Sequence, residues 1–467
     1  MSIKKVYFVG AGPGDAGLIT VRGREILRQA DTVIYDYLLD IRLLEEAKEG
    51  AELICCDTLG KKRYSDGFSN GQDKINALIV REAKEGKRVL RLKNGDPAIF
   101  SRISQELEAL NRNKIDYEIV PGVTAASSAS AFSGIPLTDR RFASNVIFVT
   151  GHEDINKKES SIDYKGLVSA GTIVFYMAVE NFSGISEKLI SEGKPKGTAV
   201  VAISNAGKIN QKVAKGNLGN ICGVIKRAGI IAPAILIVGK AATLEKEFNW
   251  LRKTKRVLFT GLSKERFFLD GLYFHLPLIK IEPIADYKEL DNHLKNIRDF
   301  DWVIFTSRYA VEYFFKRLNS IGYDSRVLRD INIAVIGEST NNHLRSYGVN
   351  ADLIPKLESS KGLLSEFKKI NLRNIRVFFP RSDIADKGLT KALKGLGAQV
   401  TASVAYKNVI AKDLPDLDLS FFHEIMFTSP SGVRSFVKRY GKVPKKVKVS
   451  CIGEVTLNEA KKCHLSG

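Results

Sequence analysis

VGAGPGDAGLIT, residues 9–20, follows a strand-like stretch that begins at Val6. Gly12, Gly14 and Gly17 match G-x-G-x-x-G, and Asp36 lies about where a dinucleotide-binding fold would place its ribose carboxylate. Two features disagree with that reading. The strand ends at Val9, before the match begins, and Pro13 removes a backbone amide from the turn that would cradle a diphosphate. The neighbouring segments decide between the readings.

Short β-branched runs alternate with helical stretches through the first half: Val6–Val9, Thr32–Tyr35, Val89–Leu92, Tyr117–Val120, Asn145–Val149, Thr172–Tyr176, Val200–Ile203 and Ala234–Val238. This rhythm predicts an α/β architecture around a largely parallel sheet. Several runs end in small or polar residues (GAGPGD, YDY, NGDP, PGVTAAS, TGHE, SNAG), and ligands of open α/β sheets bind beyond such strand ends. These loops together outweigh any single one.

A charged stretch, LEKEFNWLRKTKR from Leu244, predicts a linker and a domain boundary near residue 252. Beyond it the chain repeats itself. DWVIFTSRYAVEYFFKRL from Asp301 returns as HEIMFTSPSGVRSFVKRY from His423, and IAVIGEST from Ile333 returns as VSCIGEVT from Val449. Two related α/β lobes are expected, each with Thr-Ser hydroxyls between a strand and a helix, an arrangement able to bind anions. The first copy continues into an expected strand (Ala351–Ile354) and helix (Lys361–Lys368). The second ends at Gly467, so the last lobe is expected to lack that strand and helix.

Lys and Arg exceed Asp and Glu by 72 to 52, a formal charge of +20, which suits a polyanionic partner. The lysines are spread over predicted helices and turns, as solvated faces would be. No run approaches the roughly 18 apolar residues of a membrane span, so a cytoplasmic protein is expected. Cys55, Cys56, Cys222, Cys451 and Cys463 form no C-x-x-C pair, no H-E-x-x-H occurs, and neither a disulfide framework nor a metal site is predicted.

GAGPGDAGLIT, YDYLL, GKKR, RLKNGDPAIF, PGVTAASSASAFSGIPLT and VFYM together resemble the S-adenosylmethionine-dependent tetrapyrrole methylases of the uroporphyrinogen-III C-methyltransferase type, from about Lys4 to Leu244. FTSRYAV, AVIGEST, FFPRSD, VAYKNV and FTSPSGVRSF resemble uroporphyrinogen-III synthases. The resemblance implies a two-lobed tetrapyrrole methylase fold over residues 1–250, followed by a two-lobed α/β synthase-like region over 255–467. It also implies a bifunctional enzyme that cyclises hydroxymethylbilane to uroporphyrinogen III and methylates that ring twice to precorrin-2, on the sirohaem and cobalamin branch. Its cofactor would be S-adenosyl-L-methionine. A homodimer formed through the methylase half is implied, with neither nucleic acid nor membrane as partner, and the eight carboxylates of uroporphyrinogen give the positive charge a small-molecule use.

By the same resemblance Pro13, Asn94, Gly95, Asp96, Ile99, Thr124, Ala125, Met177 and Ala206 would contact the cofactor. Asp36 would accept a proton, and Lys61 would donate one or anchor substrate carboxylates. Tyr406 would assist loss of the substrate hydroxyl in the synthase half, where Thr306, Ser307, Ser429 and Ser431 would hold carboxylates. Residue by residue, blander roles exist: an Asp after a strand is often a turn residue, Met177 could be core, and Ser or Thr at a strand end is often a helix cap. Asn94 stands where the family has glycine, and SRISQE departs from its glycine- and acid-rich continuation. Two rival readings follow, a methyltransferase carrying an inactive synthase-like binding module, and a basic RNA-directed methylase of the same fold.

Overall fold

The computed structural model describes residues 4–56, 69–152, 161–262, 272–385, 387–412 and 414–465. It divides into two compact units, Met1–Lys255 and Arg256–Gly467, close to the boundary expected near residue 252.

The strands of the first unit are β1 (Val6–Gly10), β2 (Thr32–Tyr35), β3 (Glu52–Cys55), β4 (Val89–Lys93), β5 (Tyr117–Val120), β6 (Val146–Thr150), β7 (Thr172–Tyr176), β8 (Ala199–Ser204), β9 (Lys212–Asn217) and β10 (Ala234–Gly239). The first five form one parallel sheet in the order β3-β2-β4-β1-β5. Val6, Phe8, Val9, Val33, Ile34, Leu90 and Leu92 are all fully buried, as strands covered on both faces require. From β1 the chain moves towards β2, and from β4 it moves the opposite way to β5. This places the loops after β1 and β4 at a topological switch point, the usual ligand position of such sheets. Thr20, which closes the GAGPGDAGLIT run, caps the helix Val21–Leu27 by accepting from the Gly23 amide at 3.1 Å.

The second sheet, β6-β7-β10-β8-β9, corrects the expectation of a largely parallel architecture. Only β6 and β7 pair in parallel; β10 runs antiparallel to both β7 and β8, and β9 antiparallel to β8. Because β10 is reversed between them, β6, β7 and β8 still point one way, and their ends present Gly151, Met177 and Asn205 on one side of the sheet.

The second unit contains β11 (Arg256–Phe259), β12 (Leu272–His275), β13 (Ile279–Glu282), β14 (Trp302–Phe305), β15 (Asn332–Val335), β16 (Arg376–Ser382), β17 (Gln399–Ile410), β18 (Glu424–Phe427) and β19 (Lys448–Cys451). They make two sheets, β12-β11-β18-β19 and β13-β17-β16-β14-β15. The sequence repeat is a structural repeat. β14 and the helix Arg308–Ser320 lead to β15 and the helix Glu338–Arg345, just as β18 and the helix Pro430–Tyr440 lead to β19 and the helix Glu454–Lys462. The strand expected at Ala351–Ile354 is reduced to one parallel bridge, Leu353 to Ala334, while the helix expected at Lys361–Lys368 runs Ser360–Phe367.

Candidate functional site

The GAGPGD turn and the NGDP turn are joined backbone to backbone. Gly12 and Gly95 form an antiparallel bridge, with the Gly95 amide donating to the Gly12 carbonyl at 3.0 Å and the Gly12 amide to the Gly95 carbonyl at 3.2 Å. Gly95 adopts φ +70°, and the space a Cβ would enter there is open to 3.8 Å. Gly122 of PGVT closes the arrangement from the third side: a Cβ on it would lie 2.3 Å from the Gly95 carbonyl oxygen and 2.7 Å from the Gly10 Cα. Sequence reading did not single out Gly10 or Gly122, although both stand at strand ends within quoted motifs.

Asp96 braces this cradle. One carboxylate oxygen accepts from the Ala98 amide at 2.7 Å and the other from the Gly122 amide at 2.9 Å. Thr124 shares a 2.7 Å hydrogen bond with the Tyr176 hydroxyl, which also receives the Ala126 amide at 3.1 Å. Tyr176 thereby ties β7 to the start of the helix Ala125–Ser133. Tyr176→Phe leaves that buried amide without its partner, and a loss of about 1–3 kcal/mol in urea unfolding of the first unit is expected.

Met177 lies beside this tie, 53% exposed at φ 53°, and Phe100 packs on the Tyr176 ring at 4.9 Å with φ 49°. Arg102 and Asn205 also hold positive φ. Left-handed non-glycine residues are costly and collect at functional sites; here they sit after β4, β7 and β8. Ala206 follows Asn205, and its carbonyl oxygen would lie 2.8 Å from a Cβ on Gly14, so the SNAG turn rests against GAGPGD beside Pro13. Lys208, just beyond, donates to the Leu38 carbonyl in the loop after β2 at 2.8 Å.

Asn94 Oδ1 is buried without a hydrogen-bond partner. An amide oxygen stranded at the switch point, beside an open glycine cradle and an exposed methionine, fits the hydrogen-bonding and apolar parts of S-adenosylmethionine. Pro13, Asn94, Gly95, Thr124, Ala125, Met177 and Ala206 thus occur on the five loops after β1, β4, β5, β7 and β8, with Ile99 packed against the core of the second sheet.

Asp36 leaves β2 next to β4. Its carboxylate receives Arg91 Nη2 at 2.6 Å and the Asn94 amide at 3.1 Å. Burial opposes its ionisation, but the charges of Arg91 and Lys93 and these hydrogen bonds hold the carboxyl below its ordinary value. Lys61 lies outside the described residues.

In the second unit Tyr406 is 6% exposed, and its hydroxyl pairs with Ser307 Oγ at 2.9 Å. Burial pushes the phenol up, against hydrogen bonds with Ser307 and Ser382. Ser307 also caps the helix Arg308–Ser320 through the Ala310 amide, with Thr306 beside it. Ser429 caps the helix Pro430–Tyr440 and meets Ser431 Oγ at 3.1 Å. Ser307 and Ser429 are therefore helix caps, and Ser431 lies in the first turn of the helix that Ser429 caps.

The family model for tetrapyrrole (corrin/porphyrin) methylases matches residues 5–222, and that for uroporphyrinogen-III synthase HemD matches residues 270–467. The porphyrin biosynthesis protein HemD of Ruminiclostridium josui is 33% identical over 98% of this chain and 94% of its own length. The chain belongs to this family, in which an S-adenosylmethionine-dependent tetrapyrrole methylase is followed by a uroporphyrinogen-III synthase domain. The chain is also similar to the uroporphyrinogen-III C-methyltransferase of Bacillus subtilis, 36% identical over 69% of this chain and 68% of that one. A solved uroporphyrin-III C-methyl transferase from Thermus thermophilus complexed with S-adenyl homocysteine covers 51% of this chain and 99% of its own, at 29% identity and TM-score 0.43.

Proposed function

We propose that the chain cyclises hydroxymethylbilane to uroporphyrinogen III in its second unit and methylates that product twice in its first, giving precorrin-2 for sirohaem or cobalamin synthesis. The observation that supports this most is Asp36, a carboxylate kept ionised by Arg91 and bonded to the Asn94 amide of the glycine turns. S-adenosylmethionine, when bound, supplies an electrophilic methyl carbon. Asn94, Gly95 and Met177 would hold it, and Gly122 and Asp96 keep their turns together. Aligning the acceptor carbon and excluding water then remain for the protein to do. Asp36, an ionised carboxylate, can take the proton released when a pyrrole carbon becomes tetrahedral. This reading carries with it a cytoplasmic homodimer formed through the methylase half.

In the synthase half, Tyr406 would act at the substrate hydroxyl through Ser307, which lies between the phenol and the helix start. Tyr406→Phe is expected to slow cyclisation by about 10²-fold, the lower end of what one proton donor contributes, with methyl transfer unchanged. Its burial also favours a second reading, a methyltransferase with an inactive synthase-like module. Supplying uroporphyrinogen III and, separately, hydroxymethylbilane distinguishes the two: the second reading predicts methylated product only from the first.

A further inference from the structure

We infer that Arg91 and Glu106 are positioning residues that aim the Asp36 carboxylate at the acceptor and tie its orientation to the cofactor turn at 94–96. The inference rests on the methyltransferase reading.

Arg91 and Lys93 flank Leu92 in the central strand β4, and Glu106 reaches them from the helix Ile103–Arg112. Four of the five N–H donors of the Arg91 guanidinium are paired. Its Nε donates to Glu106 Oε1 at 2.8 Å, its Nη2 to Asp36 Oδ1 at 2.6 Å, and its Nη1 to the carbonyls of Ile34 and Leu92 at 3.4 and 3.3 Å. Glu106 Oε2 takes the Lys93 ammonium. The chain of contacts runs Lys93, Glu106, Arg91, Asp36, Asn94, and its two anions balance its two cations.

Side-chain exposure falls from 14% at Asp36 to 4% at Arg91, 3% at Lys93 and none at Glu106. Of these four groups, Asp36 is thus the outermost. Burying such a network costs several kcal/mol per ion, and apolar residues of similar volume usually serve stability as well or better. Its geometry offers what apolar packing does not, a fork held at both ends. Glu106 and two carbonyls fix the guanidinium plane, and that plane fixes Asp36 Oδ1. The Asn94 amide fixes Oδ2, so any movement of the 94–96 turn moves the carboxylate.

Three further features bear on how Asp36 titrates. Cys56, after β3, is a further titratable neighbour of Asp36 among the described residues; burial pushes this thiol up to about 12, so it stays neutral. The Lys93 ammonium is disfavoured by burial and then by Arg91, against the attraction of Glu106 and Asp36. Arg91 itself is held charged, since Asp36 and Glu106 outweigh the burial that opposes it.

Charge and aim are separable by substitution. Arg91→Gln removes the cation, so burial of Asp36 dominates and its protonation moves to higher pH. Arg91→Lys keeps a cation but cannot bridge two carboxylates in a fixed plane. The double variant Lys93→Met/Glu106→Gln keeps the Arg91–Asp36 pair and removes the balanced charges behind it.

The test measures methyl transfer to uroporphyrinogen III against pH, and S-adenosylhomocysteine binding by calorimetry, for the wild-type chain and these variants. Arg91→Gln is expected to move the acid limb of kcat up by at least about one pH unit. Arg91→Lys is expected to leave that limb in place and the double variant to move it less than Arg91→Gln does, since the Arg91 charge remains, and both are expected to lower kcat by at least about tenfold. All are expected to bind S-adenosylhomocysteine within about threefold of wild type, which separates aim from loss of the fold. Should the single variants fail to fold, the double variant alone decides by its kcat. Folded variants with wild-type kcat and pH profile would overturn the inference. A wild-type chain that binds S-adenosylhomocysteine but methylates nothing overturns the methyltransferase reading and this inference with it, a result distinct from any confined to the variants.

Discussion

Gly122→Ala is expected to destabilise the first unit by about 1–3 kcal/mol and to weaken S-adenosylhomocysteine binding by at least about tenfold. The added Cβ would sit 2.3 Å from the Gly95 carbonyl oxygen and 2.7 Å from the Gly10 Cα, and both are backbone atoms that cannot swing aside as a side-chain end can. Relief requires the PGVT turn to leave the NGDP turn, which breaks the 2.9 Å bond from the Gly122 amide to Asp96. The turn carrying Asn94 and Gly95 then loses its support, so binding falls by more than overpacking alone explains. Urea unfolding and calorimetry on the same sample check both parts. Wild-type values for both would mean that the three glycines are not packed as described.

Asp36→Asn is expected to lower methyl transfer by about 10²–10⁴-fold, the range for loss of a positioned base. Asparagine keeps the shape and can still meet the Arg91 donor, but it takes up no proton. It also leaves two buried cations facing Glu106 alone, and breaking a buried pair from one side costs up to about 3–5 kcal/mol. The pH dependence has a defined sign. Asp36 has its folded pKa lowered, so its contribution to stability is present above its unfolded value of about 3.9. It is lost as pH falls through the folded value. Wild-type stability should therefore fall more steeply than the variant's below about pH 4, and the two profiles should run parallel near neutrality.

Much of the first unit was legible because strands buried on both faces announce themselves as β-branched runs. Eight strands were read within a residue or so of their observed ends. β9 was missed because Lys212, Lys215 and Asn217 give an edge strand a polar sequence, while β8 supplies its ladder. β3, also at a sheet edge, is short and half exposed. The reversal of β10 was not legible, since an apolar run such as AILIVG is compatible with either direction, and pairing decides it.

The loops of the candidate site were marked by their motifs, but the hydrogen bonds each residue makes there were not. Asp96 and Thr124 spend their polar groups on a backbone amide and on Tyr176, which depends on contacts far away in the chain. The network behind Asp36 did leave a signal. Arg91 and Lys93 alternate with leucines in the central strand of a parallel sheet, where both faces are covered, so two buried cations had to find buried anions. Glu106, in the segment read only as a departure from the family pattern, is that anion. In the second unit the internal repeat disclosed the paired strand–Thr-Ser–helix units, whereas the hydrogen bond from Ser307 to Tyr406 spans 99 residues and had no local trace.

The most direct measurement incubates the purified chain with hydroxymethylbilane, with and without S-adenosylmethionine. Ring isomers are separated by chromatography and methyl groups are counted by mass spectrometry. The account predicts the type III ring without the cofactor, and the same ring carrying two added methyl groups with it. Absence of methylated product from both hydroxymethylbilane and supplied uroporphyrinogen III, from a chain that is folded, would contradict it.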